Sequence, residues 1–200
     1  MSKEPIELIA FDMGHVLIDF EWDSVCEQFQ QAAGKSREEF LPILSKVGKL
    51  GYEIGQVTTA EFLATLNQLL DIHLSESEFT PMWNFSFREN QSMAGLLERV
   101  RLRYRLYLLS NTNQNHYQYI QDNFNVERHF EELILSYMVR SAKPNLAIYE
   151  EVMLRSGLNP GQCLFIDDLK ENIETARALG MKSILFDGHE RLFEKLTEYG

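Results

Sequence analysis

Polar residues that follow short apolar runs are the feature of this 200-residue sequence that could do chemistry. They are Asp12 after LIAF, Ser110 and Asn111 after LYLL, Asp167 and Asp168 after CLFI, and Lys143 shortly after LILS. Carboxylates act as nucleophiles or metal ligands, whereas hydroxyl, amide and ammonium groups donate hydrogen bonds to an anion. The set therefore suits a reaction of a small phosphorylated molecule.

These residues are far apart in the chain but would meet if the apolar runs are strands of one parallel sheet. Ligands of open parallel sheets bind beyond the carboxyl ends of the strands, where Asp12, Ser110 and Asp167 would lie. Carboxylates gathered there without a cation would repel one another and raise their pKa values. Because oxygen ligands of this kind suit Mg²⁺ and the donors suit phosphate, we predict a magnesium and phosphate site at this edge.

The elements that must position these residues alternate between strand-like and helix-like segments. Apolar runs of about four or five residues lead to Asp12, Ser110, Ser136, Asp167 and Asp187, and this length is typical of strands buried on both faces. Between them, NLAIYEEVMLRSG and NIETARALG have helical periodicity and stop at Gly157 and Gly180. The alternation predicts an α/β fold with a doubly wound parallel sheet.

Residues 21–92 interrupt this alternation. Segments such as DSVCEQFQQAAG and TTAEFLATLNQLLDI are helical in pattern, and no strand is evident. The residues Thr58 to Glu61 have the sequence of a capping box at the start of a helix. We predict an α-helical cap domain over residues 21–92, inserted into a core domain of residues 1–20 and 93–200.

Composition and charge argue against several kinds of partner. A formal charge of −11 disfavours nucleic acid, because binding to a phosphate backbone depends on clustered Lys and Arg. No apolar run approaches the ~18 residues of a membrane span. The first residues, MSKEPIE, lack the apolar segment of a signal peptide. We expect a cytoplasmic protein, monomeric or homodimeric, that acts on a small phosphorylated metabolite and binds neither nucleic acid nor membrane.

The polar motifs resemble those of the haloacid dehalogenase (HAD) superfamily, in its branch with a helical cap after the first motif. FDMGHVL resembles the first motif, LSNT the second, SAKPN the third and FIDDLKEN the fourth. Each match alone is weak, but four in the same order span residues 6–187, which is nearly the whole chain. The resemblance implies a Rossmann-like core and a Mg²⁺-dependent hydrolase.

The family's phosphatase chemistry implies a role for each motif residue. Asp12 would attack phosphorus and form an aspartyl-phosphate, which water then hydrolyses. Asp12, the Gly14 carbonyl and Asp168 would hold Mg²⁺, with Asp167 as a further ligand or as a group that orients the others. The phosphate would be bound by Ser110, Asn111 and Lys143.

Gly14 departs from the family pattern. Most phosphatases of the family carry a second Asp here, which protonates the leaving oxygen and then deprotonates the attacking water. A glycine keeps the metal-binding carbonyl but cannot transfer a proton, and general acid–base help is worth about 10²–10⁴-fold. The resemblance therefore leaves open how the leaving group departs.

Three explanations of Gly14 compete. We favour a substrate with a good leaving group, such as an anomeric, acyl or aryl phosphate, since FDMGHVLIDF is similar to a DxGxV sub-branch that includes a sugar-1-phosphate phosphatase. Alternatively, His15, with an ordinary pKa of about 6.5, replaces the acid. Third, the protein is a catalytically weak or inactive phosphate-binding protein. A 2-haloacid dehalogenase is disfavoured, because the adjacent acids Asp167 and Asp168 would have no purpose without a cation.

Substrate selection is expected from residues near the cap. Asp19, where the chain enters the cap, either contacts substrate hydroxyls or only fixes the hinge. Tyr52 and Glu53, in the glycine-flanked segment GYEIG, are candidate specificity contacts. Asn172 either faces the acid pair or caps its helix, and His116 is interpreted as a packing or surface residue. Cap-region aromatic residues interpreted as core rather than cavity are Trp22, Phe40, Phe62, Trp83, Phe85 and Phe87.

Overall fold

The computed structural model describes residues 5–197, and within this range five parallel strands form a central sheet. In chain order the strands are β1 (Leu8–Phe11), β2 (Ile18–Asp19), β3 (Arg88–Glu89), β4 (Arg105–Ser110), β5 (Glu132–Leu135), β6 (Cys163–Asp167) and β7 (Lys182–Leu185). The sheet has the order β5-β4-β1-β6-β7, and β2 pairs with β3 in a separate antiparallel ribbon. This topology confirms the predicted α/β fold with a doubly wound parallel sheet.

Helices cover both faces of the sheet. In chain order they are α1 (Trp22–Ala33), α2 (Arg37–Gly48), α3 (Thr59–Leu70), α4 (Glu76–Trp83), α5 (Gln91–Val100), α6 (Gln114–Phe124), α7 (Ser136–Val139), α8 (Leu146–Ser156), α9 (Lys170–Ala178) and α10 (His189–Thr197). Short 3₁₀ turns lie at Tyr52–Ile54, Val126–His129 and Pro160–Gln162. None of the helices described is long and apolar enough to cross a membrane.

The central strand β1 explains why the sheet is covered on both sides. Successive side chains of a strand point to opposite faces. Leu8 and Ala10 accordingly pack in a cluster with α8 and α9, whereas Ile9 and Phe11 pack in a cluster with α5 and α10. All four side chains are fully buried, which accounts for a continuous apolar run instead of an alternating one.

Two glycines end core helices as predicted. Gly157 follows α8 with φ 73°, and Gly180 lies two residues after α9 with φ 92°. These are left-handed conformations that favour glycine. The final strand is shorter than the apolar run indicated, because β7 ends at Leu185 and Asp187 instead forms exposed ion pairs with Arg191 and Lys195.

The four helices α1–α4, called the cap below, enclose a hydrophobic cluster of their own. The predicted boundary at residue 92 falls inside α5, which starts at Gln91 and packs in the cluster of the sheet. The capping box of α3 forms as predicted: the Thr58 hydroxyl accepts from the Glu61 N–H at 3.2 Å, and the Glu61 carboxylate accepts from the Thr58 N–H at 2.8 Å. The sequence did not indicate the β2–β3 ribbon at the base of the cap. Strands of two residues are too short for an alternating pattern to be visible.

Candidate active site

The polar residues predicted to share one sheet edge do meet there. β1 pairs in parallel with β4 on one side and with β6 on the other. Asp12 directly follows β1, Ser110 ends β4 and Asp167 ends β6, so the three side chains emerge at the carboxyl ends of neighbouring strands. This is the edge at which open parallel sheets bind their ligands.

Lys143 joins the strand ends through two short ion pairs. Its Nζ lies 2.7 Å from Asp12 Oδ1 and 2.7 Å from Asp167 Oδ2, and 1% of its side chain is exposed. Burial alone would lower the pKa of Lys143, but the two carboxylates outweigh burial and raise it. The ammonium therefore stays charged and links the two acids.

Asp12 is buried beside this ammonium. Desolvation raises the pKa of Asp12 to about 6, with Lys143 opposing the shift and the Asp167 carboxylate adding to it. A cation bound next to Asp12 would favour the ionised form that a nucleophile requires. The site is thus electrostatically incomplete without additional positive charge.

Asp167 has both carboxylate oxygens engaged within the protein. Oδ1 accepts from the Leu169 N–H at 2.8 Å, Oδ2 accepts from Lys143 Nζ, and the Asn172 amide lies 3.0 Å from both oxygens. The Tyr149 hydroxyl in turn donates to the Asn172 carbonyl at 3.1 Å. Of the two roles considered for Asn172, the structure has it facing the acid pair. Asp167 is therefore placed to orient Lys143.

The carboxylates could hold a divalent cation. Oxygens of Asp12, Asp167 and Asp168 lie within 4.8 Å of one another. Burial and the neighbouring Asp167 raise the pKa of half-buried Asp168, while His15 lowers it. Because the Asp167 oxygens already accept hydrogen bonds, Asp12 and Asp168 are the carboxylates of this cluster left to hold Mg²⁺, which prefers hard oxygen ligands. The Gly14 carbonyl stays a predicted ligand.

The Asn111 side chain has a role that the sequence did not indicate. Its Oδ1 accepts from the Lys143 N–H at 2.7 Å and its Nδ2 donates to the Lys143 carbonyl at 2.8 Å, so the carboxamide clamps the Lys143 backbone. The predicted phosphate contact of Asn111 would use its second amide hydrogen or its backbone N–H. Ser110 is buried beside it, with a long contact of 3.4 Å to the Asn111 carbonyl.

Ser136 connects the core to the cap and was missed as a functional candidate. Its hydroxyl accepts from the Thr112 N–H at 2.9 Å and lies 2.9 Å from the Thr112 carbonyl and 2.6 Å from the Glu53 carbonyl of the cap. The available signal was its position at the end of the apolar run LILS. A polar residue at a strand end predicts a catalytic role, and the sequence does not indicate that Ser136 contacts the cap instead.

Gly14 and His15 are arranged around Phe20. A Cβ on Gly14 would lie 3.2 Å from Phe20 Cε1, so the Phe20 ring adjoins the space that a second Asp would enter. His15 has a left-handed backbone, with φ 53°, and its exposed ring stacks on Phe20 at a centroid distance of 4.2 Å. His15 does not line the cavity described below. His15 nevertheless lies close enough to Asp168 to lower the pKa of that carboxyl, so its role as a replacement for the missing acid stays a prediction.

A cavity of about 360 Å³ lies between cap and core. Its lining includes Met13 and Gly14, which follow Asp12, and Asn111 and Thr112, which follow Ser110. The aromatic residues of the lining are Phe20, Trp22, Tyr52, Phe62, Trp83 and Phe87. Four aromatics interpreted as core thus line the cavity, namely Trp22, Phe62, Trp83 and Phe87. These four rings also pack in or against the hydrophobic clusters, so they are core and cavity wall at once, because the inner side of a small helical cap is also the wall of the cavity beneath it. The core interpretation is confirmed for Phe40 and is wrong for Phe85, which is 58% exposed.

The three predicted specificity residues differ in position. Tyr52 and Glu53 line the cavity, whereas Asp19 does not. Side chains alternate along β2, and Ile18 and Phe20 on either side of Asp19 face the cavity, so Asp19 is turned outward to solvent. Of the two roles predicted for Asp19, the hinge residue agrees with its exposed position and its pairing opposite Arg88.

His116 packs against the cavity wall, in agreement with its interpretation as a packing residue. Its ring stacks on Trp83 at a centroid distance of 5.3 Å. Burial lowers the pKa of His116 to about 3, so the ring is neutral near neutral pH. Glu53 lines the cavity with an exposed side chain, and desolvation by the surrounding protein raises its pKa.

Comparison with known proteins agrees with the geometry. A family profile described as haloacid dehalogenase-like hydrolase matches residues 6–180. The chain is 26% identical over 186 residues to a D-ribitol-5-phosphate phosphatase of Bacteroides thetaiotaomicron, covering 89% of this chain and 90% of the relative. It is 24% identical over 188 residues to a phosphorylated carbohydrates phosphatase of Thermotoga maritima, covering 90% and 84%.

A solved structure is similar over nearly the whole chain. It is a wild-type HAD family enzyme from Bacteroides thetaiotaomicron in complex with magnesium and inorganic phosphate. The identity is 29%, the TM-score is 0.83, and the match covers 94% of this chain and 99% of the other.

Proposed function

The chain belongs to the haloacid dehalogenase-like hydrolases, and from this premise we propose that it is a Mg²⁺-dependent phosphatase acting through an aspartyl-phosphate on Asp12. The observation that carries the proposal is the Lys143 ammonium, 2.7 Å from both Asp12 and Asp167 at the carboxyl edge of the sheet. The names of two relatives make small phosphorylated carbohydrates one candidate substrate class.

In the proposed reaction an Asp12 carboxylate oxygen attacks phosphorus in line with the ester oxygen. The Lys143 ammonium reduces the repulsion between Asp12 and the phosphate, and Asp167 holds that ammonium in place. Mg²⁺ held by Asp12, Asp168 and the Gly14 carbonyl would supply positive charge to the phosphate oxygens. Water then attacks the phosphorus of the aspartyl-phosphate, releasing inorganic phosphate and free Asp12.

Proton transfer is the weak part of this mechanism. Gly14 carries no acid, and His15 is stacked on Phe20 outside the cavity lining. With no acid at Gly14, we expect the leaving oxygen and the attacking water to exchange protons with solvent, and His15, a neighbour of Asp168, is the alternative proton carrier. Attack by water on the aspartyl-phosphate has no positioned base, so we expect this second step to limit turnover.

A catalytically weak phosphate-binding protein is the second candidate function, and Gly14 is the observation that favours it. Such a protein would bind inorganic phosphate in the presence of Mg²⁺ but would not turn over esters. Lys143, Ser110 and Asn111 would then serve binding alone.

Phosphate release with and without Mg²⁺ tests the two candidates. For the phosphatase we expect release from a panel of alkyl, sugar and aryl phosphates, lost on chelation and reduced at least about 10⁴-fold in Asp12→Asn. A burst of leaving group equal to the enzyme concentration, followed by slower turnover, would reveal the aspartyl-phosphate. The binding protein would be established instead if the wild type hydrolyses every ester of the panel no faster than Asp12→Asn does, and if calorimetry shows that it binds phosphate.

A further inference from the structure

We infer that the preferred substrates are aryl phosphates, with an aromatic ring as the leaving group. The inference rests on the proposed phosphatase function and names the substrate class of that same site. Two independent features carry it: the walls of the cavity, and the missing side chain at position 14.

The cavity lies where the leaving group must be. It is lined by Met13 and Gly14 on one side and by Asn111 and Thr112 on another, next to Asp12 and Ser110 respectively. A phosphate held by Ser110 and Lys143 would therefore direct its ester substituent into this cavity. Its volume of about 360 Å³ is at the lower end of the ~300–1,000 Å³ typical of ligand sites, which suits one or two fused rings.

The walls of the cavity are aromatic on both the cap side and the core side. Trp22 and Trp83 contact each other edge to face at 5.1 Å in the cap, and Phe20 and Phe87 do so at 5.7 Å at its base. Aromatic side chains bind flat rings through stacked or edge-to-face contacts. A planar leaving group can make such contacts on several sides at once.

Several polar groups of the lining are engaged within the protein, whereas Trp83 Nε1 and His116 Nε2 are buried without a hydrogen-bond partner among the described residues. The Tyr52 hydroxyl pairs with Thr59 at 2.8 Å, and Asn113 Oδ1 accepts from the His116 N–H at 2.9 Å. The Asn111 carboxamide is occupied by the Lys143 backbone. A polyol chain with several hydroxyl groups would find few further partners between the aromatic walls, among them Trp83 Nε1, His116 Nε2 and Glu53, so part of its hydroxyl groups would be buried unpaired, which is unfavourable.

The lining also carries little charge. Among the described residues of the cavity wall, Glu53 is the only one with an acidic or basic side chain other than the neutral His116. A leaving group with a second phosphate or a carboxylate would meet no cation there. This excludes phosphorylated acids and bisphosphates as the best substrates.

The absence of an acid at position 14 points to the same class. When the ester P–O bond breaks, its electron pair stays on the leaving oxygen while Asp12 bonds to phosphorus. A phenol has a pKa of about 10, whereas an alcohol lies close to the 15.7 of water. A phenolate departs without prior protonation and takes its proton from solvent afterwards, so the reaction needs no acid at Gly14.

Steady-state kinetics on matched esters test the inference. We expect kcat/KM for phenyl phosphate to exceed that for ribitol 5-phosphate by at least about 100-fold, the discrimination that unpaired polar groups can give. Benzyl phosphate has the ring but an alkyl leaving oxygen, so its kcat/KM should be at least about 100-fold lower than that of phenyl phosphate. Ribitol 5-phosphate hydrolysed as efficiently as phenyl phosphate would overturn the inference and leave the phosphatase proposal intact.

Ligand binding separates the inference from catalysis. The sequence has two tryptophans, and both line the cavity, so intrinsic fluorescence reports its occupancy. In the presence of Mg²⁺, phenylphosphonate should change this fluorescence with an affinity at least about 10-fold tighter than methylphosphonate does. Equal affinities would contradict an aromatic site. Tighter phenylphosphonate binding with no ester turnover would instead reject the phosphatase proposal and keep the aromatic site.

A matched pair of phenylalanine variants locates the effect. Phe87 lines the cavity, whereas Phe85, two residues earlier, is 58% exposed and does not. Phe87→Asn should raise the KM for 2-naphthyl phosphate at least about 10-fold, and Phe85→Asn should not change it. If Phe87→Asn fails to fold in a thermal unfolding assay, Phe87→Leu keeps the apolar volume but removes the ring and should raise KM in the same direction. Equal KM values for the Phe85 and Phe87 variants would contradict the inference.

Discussion

The polar sheet edge and the aromatic cavity above it are adjacent but are built on opposite physical principles. At the edge, Lys143 pairs with Asp12 and Asp167 at 2.7 Å each, and Asp167 accepts from every neighbouring donor. In the cavity, the Trp83 and Phe87 rings each contact the His116 ring without directional bonds. The edge therefore fixes atoms for one reaction, whereas the cavity selects by shape and polarity.

This difference indicates which side chains can be replaced without loss of stability and which cannot. Loss of any charged group at the edge leaves a buried partner unpaired, so the edge tolerates little change. Replacement of one ring in the cavity leaves apolar neighbours and alters selectivity first. The following predictions test this contrast, from the largest expected effect to the smallest.

Lys143→Met should have the largest effect on stability. Removing the ammonium leaves Asp12 and Asp167 buried side by side, and loss of one partner of a buried ion pair costs about 3–5 kcal/mol. The free energy of unfolding, measured by urea denaturation, should fall by this amount. The control Lys170→Met removes an exposed pair with Glu174 and should change stability by about 0.5 kcal/mol or less. A Lys143→Met effect no larger than the control would mean that the edge is not held by this pairing.

Gly14→Asp should raise the rate of hydrolysis of alkyl esters by restoring a proton carrier. We expect kcat for benzyl phosphate to rise by about 10²-fold, the lower end of general acid–base catalysis. The gain is limited because the new Cβ lies 3.2 Å from Phe20 Cε1, and adding Phe20→Leu should increase it.

His15→Ala is the matched control for that experiment. Because His15 stacks on Phe20 outside the cavity lining, its removal should leave the pH–rate profile near neutrality unchanged. If His15→Ala instead loses activity and the change of rate with pH near neutrality, then His15 is the proton carrier. The substrate would then not need a good leaving group.

The neutral His116 in the cavity wall should make stability depend on pH. Burial lowers the pKa of His116 to about 3, against 6.5 in the unfolded chain. Between these values the unfolded protein alone binds the proton, so stability falls as the pH decreases below 6.5. Between pH 7 and pH 5, wild type should lose about 1–2 kcal/mol more than His116→Phe in urea denaturation. Parallel pH profiles would show that His116 is protonated in the folded protein.

The sequence was sufficient to predict the sheet and its charged edge. Short apolar runs predict the strands, and the polar residues at their ends, Asp12, Ser110 and Asp167, predict the chemistry. Parallel pairing then brings the strand ends together whatever the length of the connections. The capping box of α3 was visible for a similar reason, since its two partners are three residues apart.

The cavity could not be predicted in this way. Trp22, Phe62 and Phe87 come from separate segments of the chain, and only the packing of the cap decides which faces of their rings remain accessible. The clamp of Asn111 on Lys143 spans 32 residues and joins a side chain to backbone atoms, for which the sequence holds no pattern. Motifs indicate reacting atoms, whereas selectivity depends on tertiary contacts.

Ser136 has one hydroxyl proton and two carbonyl oxygens within its reach, Glu53 O on the cap and Thr112 O on the core. When the segment around Glu53 lifts away, the proton can rotate to Thr112, so no donor is stranded in the core. A displacement of this segment would thus exchange one acceptor of the Ser136 hydroxyl for another. Ser136→Ala removes the hydroxyl and with it both hydrogen bonds. We expect faster hydrogen exchange at residues 51–55 in this variant, with unchanged exchange at β1.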